Sequence, residues 1–455
     1  MLLHDTRLAL RSLKRNPILS LLMIVTIAVG IAASMIAMTV YSARAGHPIP
    51  WKEDKLFAVT MDTRDEGPPP PGLPLRNYEY PPFTLGYQDA MAVYRSDIPR
   101  RSVVMYRTGQ LVMPERANIK PFYVPVRVTT ADFFAMFDVP FRYGGGWPRA
   151  ADTTAEPVVV ISKYLNDKLF GGVNSLGREI TLGGRQFKII GVLDAWMPHP
   201  RFYDLSGGGF DLPEDAFVPF EWVRAGKMFP QSISCVRRTS RVVNFESLFT
   251  EECLWLQSWV ELADSAAHAR FQDYVDNYVR DQKQRGRMPR PLNNRIVNVS
   301  TWLDMNNVVG DDTRMQVIVA VAFLVVCVLN TVGLILAKFL SAAPIAGLRR
   351  ALGATRLDIV RQHLTEVVIM GLIGGALGLI LSFGGLRLLH ALIFSRGLET
   401  SDNPARLTLA QSFTHMDFSM LLLAVVLSVL TGILAGIYPA WRIGRLAPAT
   451  FLKTQ

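Results

Sequence analysis

The stretch Gly347-Leu348-Arg349-Arg350-Ala351-Leu352-Gly353-Ala354-Thr355-Arg356-Leu357-Asp358-Ile359-Val360-Arg361-Gln362 is basic, and it lies between two uncharged runs, Met315 to Ala337 and Val367 to Leu386. Pro344 suits the first turn of a short helix and Gly353 its left-handed end. Thr355 with Asp358 three residues on has the spacing of a capping box, so residues 344–362 are expected to fold as helix, turn, helix. Leu348, Ala351 and Leu352 gather on one side while Arg349 and Arg350 point elsewhere. That is the amphipathic arrangement of a helix lying on a membrane or seated in another protein's groove. From charge alone, the same residues read as a positive loop beside a membrane.

Working outward, the flanking runs belong to a set of four. Ile18 to Val40 carries no charge over 23 residues, about 34 Å as a helix and enough for a hydrocarbon core of about 30 Å. Phe418 to Ala440 completes the set. The first run resembles a secretory signal, with Ala43-Arg44-Ala45 imitating a cleavage site. It is too long for one, since the apolar core of a signal runs about 7–15 residues. The expected class is an α-helical four-span membrane protein with an α+β extracytoplasmic domain of two lobes.

Charge sets the orientation. Before Ile18 stand four Lys/Arg and one Asp; Lys338 to Arg361 holds five and one; three basic residues and no acid follow Ala440. These pieces hold the whole net charge of +10, whereas Ser42 to Arg314 carries 33 basic and 32 acidic residues. The positive-inside rule puts both termini and the Arg349 segment in the cytoplasm and the large domain outside. The excess is a topology signal, so no nucleic-acid partner is implied. The expected order is a cytoplasmic amphipathic helix over 1–17 built on Arg7, Leu8, Arg11, Leu13, Lys14 and Arg15 and a first span over 18–41. A periplasmic domain over 42–314 follows, then a second span over 315–340 and the coupling segment 344–362. A third span over 363–391, a short outer loop over 392–417, a fourth span over 418–440 and a cytoplasmic tail over 441–455 complete the chain.

Within the large domain, strand patterns near 51–60, 102–107 and 122–129 and a short helix over 131–137 recur in kind near its end. There a strand near 254–262, a helix over 266–284 and a strand near 295–301 are expected. Lobe one is therefore assigned to 48–140 and 254–305. The insert 141–253 reads as a β-rich second lobe, with strand 157–161, helix 163–170 and a hairpin turning at Gly183-Gly184-Arg185. Gly67 to Pro82 holds seven prolines and reads as an irregular, stiff loop. Cys235 and Cys253 fall in this domain; a disulfide and two free thiols both remain open.

Catalytic and metal-binding motifs are missing. The chain has no phosphate-binding loop, no H-E-x-x-H, no C-x-x-C and no G-x-S-x-G, and its seven histidines form no pair at ligand spacing. A membrane-bound hydrolase is thereby disfavoured. His363 and Glu366 at the mouth of the third span read as an interfacial polar pair or a proton relay. Asn330 and Gln316 are the strongly polar residues of the second span. Gly371, Gly374, Gly375 and Gly378, with Gly432 and Gly436, have the spacing of close helix packing, within the chain or between copies; dimerisation is the expected use.

Gly347 to Ala354, Asp358 to Glu366, Gly371 to Gly378 and the terminal Gly436-Ile437-Tyr438-Pro439-Ala440-Trp441-Arg442-Ile443-Gly444-Arg445-Leu446 resemble the MacB/FtsX-type permease family of ABC transporters. Ala131-Asp132-Phe133-Phe134, Pro157 to Phe170, Leu176-Gly177-Arg178 and Gly191-Val192-Leu193 are similar to its periplasmic domain. Where family members carry Arg-Glu-Ile ahead of this basic stretch, the chain has Pro344, Ile345 and Ala346. The resemblance implies a non-catalytic inner-membrane subunit that pairs as a dimer and works with a separate cytoplasmic ATPase, which would bind ATP and Mg. It implies that Gly347, Leu348, Arg349, Arg350, Ala351, Leu352, Gly353 and Ala354 dock that ATPase, and that its motion is transmitted to the periplasmic domain for export or extraction. A periplasmic fusion protein and outer-membrane channel are compatible partners. The alternative is a sensor whose periplasmic domain detects a ligand or peptide and signals through the same segment.

Overall fold

The computed structural model describes residues 16–67, 79–116, 118–235, 240–351, 353, 355–397 and 418–444. The expected N-terminal amphipathic helix, most of the proline-rich loop, the 398–417 loop, the tail beyond Gly444, and Leu352 and Ala354 lie outside the described residues, as do the side chains of 342–351. In chain order the elements begin with α1 (Pro17–Arg44), β1 (Leu56–Thr60), α2 (Tyr87–Tyr94), β2 (Arg101–Met113), β3 (Phe122–Thr129), α3 (Phe133–Met136), β4 (Phe141–Gly144) and α4 (Ala151–Thr154). There follow β5 (Val158–Ile161), α5 (Lys163–Phe170), β6 (Glu179–Leu182), β7 (Arg185–Leu193), β8 (Ala216–Pro219), α6 (Trp222–Ala225), β9 (Ser234–Cys235), α7 (Ser247–Thr250) and β10 (Cys253–Leu254). The last are β11 (Gln257–Glu261), α8 (Ser265–Gln284), β12 (Arg295–Asn298), α9 (Val299–Met305), α10 (Asp311–Ala351), α11 (Arg356–Gly397) and α12 (Phe418–Gly444). They divide into a membrane unit and a domain of residues 46–308.

In the membrane unit, four helices are long and apolar enough to cross a bilayer: Pro17–Arg44, Asp311–Phe339, Leu357–Leu389 and Met420–Trp441. Asn16-Pro17 opens α1, with proline where its missing N–H costs nothing. Met23, Ile335, Phe339, Ile359, Val367, Met370 and Ala435 form one buried cluster, and Ile27, Ile31, Met35, Leu324 and Ala424 another. Ile18, Ile318, Leu329, Ile380 and Leu434 face outward, as lipid-facing residues must. The expected separate helix from Pro344 is corrected: the backbone stays helical without interruption from Asp311 to Ala351. A proline inside a helix removes one backbone hydrogen bond, and the good helix formers around it, Ala342, Ala343 and Ala346, sustain the run. Helix α10 ends at Ala351, and α11 starts at Arg356 instead of 363.

The large domain is built on one ten-stranded mixed sheet, ordered β12-β1-β11-β2-β3-β8-β5-β7-β4, with β6 pairing both β2 and β7. The two expected lobes are halves of this sheet. β3 of the first half pairs in parallel with β8 of the second, Val126 opposite Ala216 and Val128 opposite Val218, so the central backbone groups are satisfied only across the seam. Both faces are buried. Along β2, Val103 and Met105 join Phe133, Phe217 and Trp259 on one face, while Val104 and Tyr106 join Val126, Ile161 and Trp255 on the other. β5 alternates in the same way, Val158 and Val160 on the first face, Val159 and Ile161 on the second. The expected turn forms at Gly183 and Gly184, both at positive φ, +60° and +78°, as a two-residue hairpin requires. Asp264 caps α8 by accepting from the Ala267 N–H at 2.7 Å. The strand expected over 295–301 stops at Asn298, whose side chain accepts from the Thr301 N–H at 3.0 Å and starts α9 instead.

Candidate functional site

The candidate site is the turn between α10 and α11 and the helix packing immediately beyond it. Gly353 sits at φ +103°, a conformation that only glycine adopts without strain. The Asp358 carboxylate accepts from the Thr355 N–H at 3.1 Å and from its hydroxyl at 2.6 Å, and the Asp358 N–H donates to Thr355 Oγ1 at 3.2 Å. This reciprocal cap fixes where α11 begins. Gly347 to Ala351 form the last described turns of α10, so these five of the residues expected to dock an ATPase continue the second span without a break.

Farther along both helices lies a buried polar joint that the sequence did not reveal as one unit. Lys338 of α10 donates to Glu366 Oε1 of α11 at 2.6 Å and to Ser20 Oγ of α1 at 3.0 Å. The Lys338 and Glu366 side chains are 3% and 2% exposed, so each charge depends on the other for its stabilisation. His363 Nδ1 is 3.7 Å from the second Glu366 oxygen, and its ring lies 4.0 Å from that of Phe339. The expected His363 and Glu366 pair is thus secondary to the pairing with Lys338. Spacing along one helix flagged His363; a partner 28 residues away on another helix leaves no local signal.

The six glycines pack helix against helix inside the chain, one of the two uses expected of them. A Cβ on Gly374 would lie 2.9 Å from Ile27 of α1, and one on Gly378 2.9 Å from the Ala28 carbonyl. On the neighbouring face a Cβ on Gly371 would lie 2.8 Å from the Ser428 carbonyl, one on Gly375 would run into the Ser428 side chain, and ones on Gly432 and Gly436 would meet Val367. The glycines of α11 therefore let α1 and α12 approach from two sides. Gln316 and Asn330 are exposed on α10.

In the large domain a second charged cluster lies within the core. Arg127 of β3 is fully buried and pairs with Glu214 and with Asp204 at 2.6 Å. Glu214 also accepts from Arg201 Nη1 at 3.1 Å and from the Tyr203 hydroxyl at 2.9 Å. Burial alone would lower the Arg127 guanidinium, but Glu214 and Asp204 raise it well above its ordinary value. The cluster ties the strand seam to the 201–214 loop. Cys235 and Cys253 are joined by a disulfide across the β9–β10 pair. Among the described residues, no group of three His, Cys, Asp or Glu side chains could hold a metal ion.

A MacB-like periplasmic core domain matches residues 20–278, more than half of the chain. The chain belongs to the MacB/FtsX-type permease family. An FtsX-like permease C-terminal domain matches residues 317–448 of this permease, the part that holds α10, α11 and α12. Among curated relatives, the pyoverdine export ATP-binding/permease protein PvdT of Pseudomonas entomophila is 25% identical over 76% of this chain and 45% of its own length. The macrolide export ATP-binding/permease protein MacB of Syntrophobacter fumaroxidans is 24% identical over 73% of this chain and 48% of its own. The permease spans about half the length of these relatives and aligns with their permease portion. The solved periplasmic region of MacB from Actinobacillus actinomycetemcomitans covers 57% of this chain at 11% identity, with a TM-score of 0.37. The permease is a membrane protein with an extracytoplasmic domain.

Proposed function

We infer that this permease transmits the ATP-driven motion of a separate cytoplasmic ATPase to its extracytoplasmic domain, which uses it to export or extract a substrate. The observation that carries this reading is the unbroken course of α10. One helix begins at Asp311, just after the domain of residues 46–308, and ends at Ala351 in the basic segment. A helix resists bending, so displacement of one end is carried toward the other, with Pro344, seven residues from the Ala351 end, removing one backbone hydrogen bond on the way. In this reading ATP and Mg are bound by the ATPase, a division of labour that the lack of a phosphate-binding loop in this sequence supports.

In this reading Arg349 and Arg350 seat in the ATPase, both termini are cytoplasmic, and the large domain is periplasmic. Two permease copies assemble; with the α11 glycines occupied internally, the exposed face of α10 around Asn330 is the better surface for a second copy. The export named for the relatives supports a substrate delivered outward, with a fusion protein and outer-membrane channel as compatible companions. Replacing Arg349 and Arg350 by Glu is expected to abolish capture of the ATPase in a pull-down while membrane insertion stays normal. Undiminished capture overturns the docking assignment.

A further inference from the structure

We propose that Lys338 and Glu366 are a positioning pair: a permanent ionic staple that makes the two arms of the α10–α11 turn move as one body. This rests on the transmission reading above. Lys338 stands thirteen residues before Ala351, about 20 Å up α10, and Glu366 ten residues after Arg356, about 15 Å up α11. The pair therefore closes the helical hairpin well beyond its turn. Its surroundings are apolar, with Phe339, Ile359, Val367 and Met370 buried in the same region, and the Ser20 hydroxyl oxygen accepts a further hydrogen bond from the ammonium.

In so poor a dielectric, separating the pair would cost each charge its 2.6 Å partner, a loss that the longer His363 contact at 3.7 Å does not make good, and no intermediate spacing is comfortable. The staple thus stays closed while the helices around it shift. A push on the turn is carried into α10 and α11 together and, through Ser20, into the start of α1. Without it, the same push can splay the arms and dissipate at the turn. The Thr355 and Asp358 cap fixes the local geometry of the turn but cannot hold the arms together at this height.

The test uses the full chain with the ABC ATPase that co-purifies with it, reconstituted in lipid. Lys338→Met and Glu366→Gln are each expected to capture the ATPase to within twofold of the unaltered chain. Each is expected to lower the permease's stimulation of ATP hydrolysis at least fivefold. The exchanged chain, Lys338→Glu with Glu366→Lys, should recover at least half of it. Stimulation kept within twofold in either single variant overturns the proposal, as does an inserted exchanged chain that recovers none. If the single variants fail to insert, the exchanged chain alone decides.

Should the unaltered chain capture no ATPase, the transmission reading fails and the staple is still tested. Spin labels at Ser341→Cys and Leu357→Cys, both exposed, report the spacing of the arms. A distance distribution that broadens in Glu366→Gln and narrows again in the exchanged chain supports the staple; one unchanged in Glu366→Gln overturns it.

Discussion

Asp152 carries a buried carboxyl that ties three segments together. It accepts from the Ala131 N–H at 3.0 and 2.9 Å, from Trp147 Nε1 at 2.8 Å and from the Tyr94 hydroxyl at 3.3 Å. Burial raises this carboxyl to about 6 against the pull of those donors, and burial raises Asp215 to about 6 despite its bond from Ser162. In the unfolded chain both ionise at about 3.9. Between about pH 4 and 6 the folded state therefore holds more protons, and stability falls as pH rises through that window. Asp204 and Glu214 act in the opposite sense. Burial pushes both up, but Arg127 and Arg201 hold them below the usual range, so their contribution is lost as pH falls below about 4. We expect tryptophan-fluorescence melting of the full chain in detergent to show greatest stability near pH 4–5. Asp152→Asn should remove about 3 kcal/mol of the decline between pH 4 and 7, corresponding to a shift of about two units. An unaltered slope in that variant would count against the assignment.

At the scale of the element, the helices show what a sequence does and does not disclose. Four spans, the capping box at Thr355 and the close-packing glycines are local patterns, legible because they depend on residues three or four apart. The partner of a glycine is a different matter: the gap it leaves can be filled by any neighbouring helix, and here α1 and α12 fill it. The same limit hid the Lys338–Glu366 joint and the buried Arg127, which sits in a strand that reads as apolar. Helix continuity through Pro344 was obscured because proline more often opens a helix than continues one. Packing can be tested within α11. Gly375→Val would drive a side chain into Ser428, whereas a Cβ at Gly384 meets nothing within 4 Å. We expect the first to lower thermal stability by about 1–3 kcal/mol, the usual cost of overpacking, and Gly384→Ala to be silent. Neither should alter self-association, measured by light scattering; loss of the oligomer in Gly375→Val alone would restore the dimer reading of these glycines.

For the whole molecule, the two halves of the large domain were readable as strand and helix patterns but their union in one sheet was not, because the seam between β3 and β8 joins residues far apart in the chain. The distribution of charge predicts that the large domain lies outside and both termini inside, and one experiment tests that expectation together with the disulfide. In intact spheroplasts, a membrane-impermeant maleimide should leave Cys235 and Cys253 unlabelled until a reductant is added and then label both from outside, while Cys327, buried in α10, stays unreacted. Labelling without reduction would refute the bond, and labelling only after lysis would reverse the topology.

The unbroken α10 has one more consequence, which is mechanical advantage. At 41 residues it is about 62 Å long, roughly twice the hydrocarbon thickness it crosses. Tilting such a helix by about five degrees about one end carries the other end about 5 Å, close to one helical turn. In the transmission reading proposed above, side-chain repacking at the base would therefore suffice for a displacement of that size at the far end, with no change of secondary structure along the way.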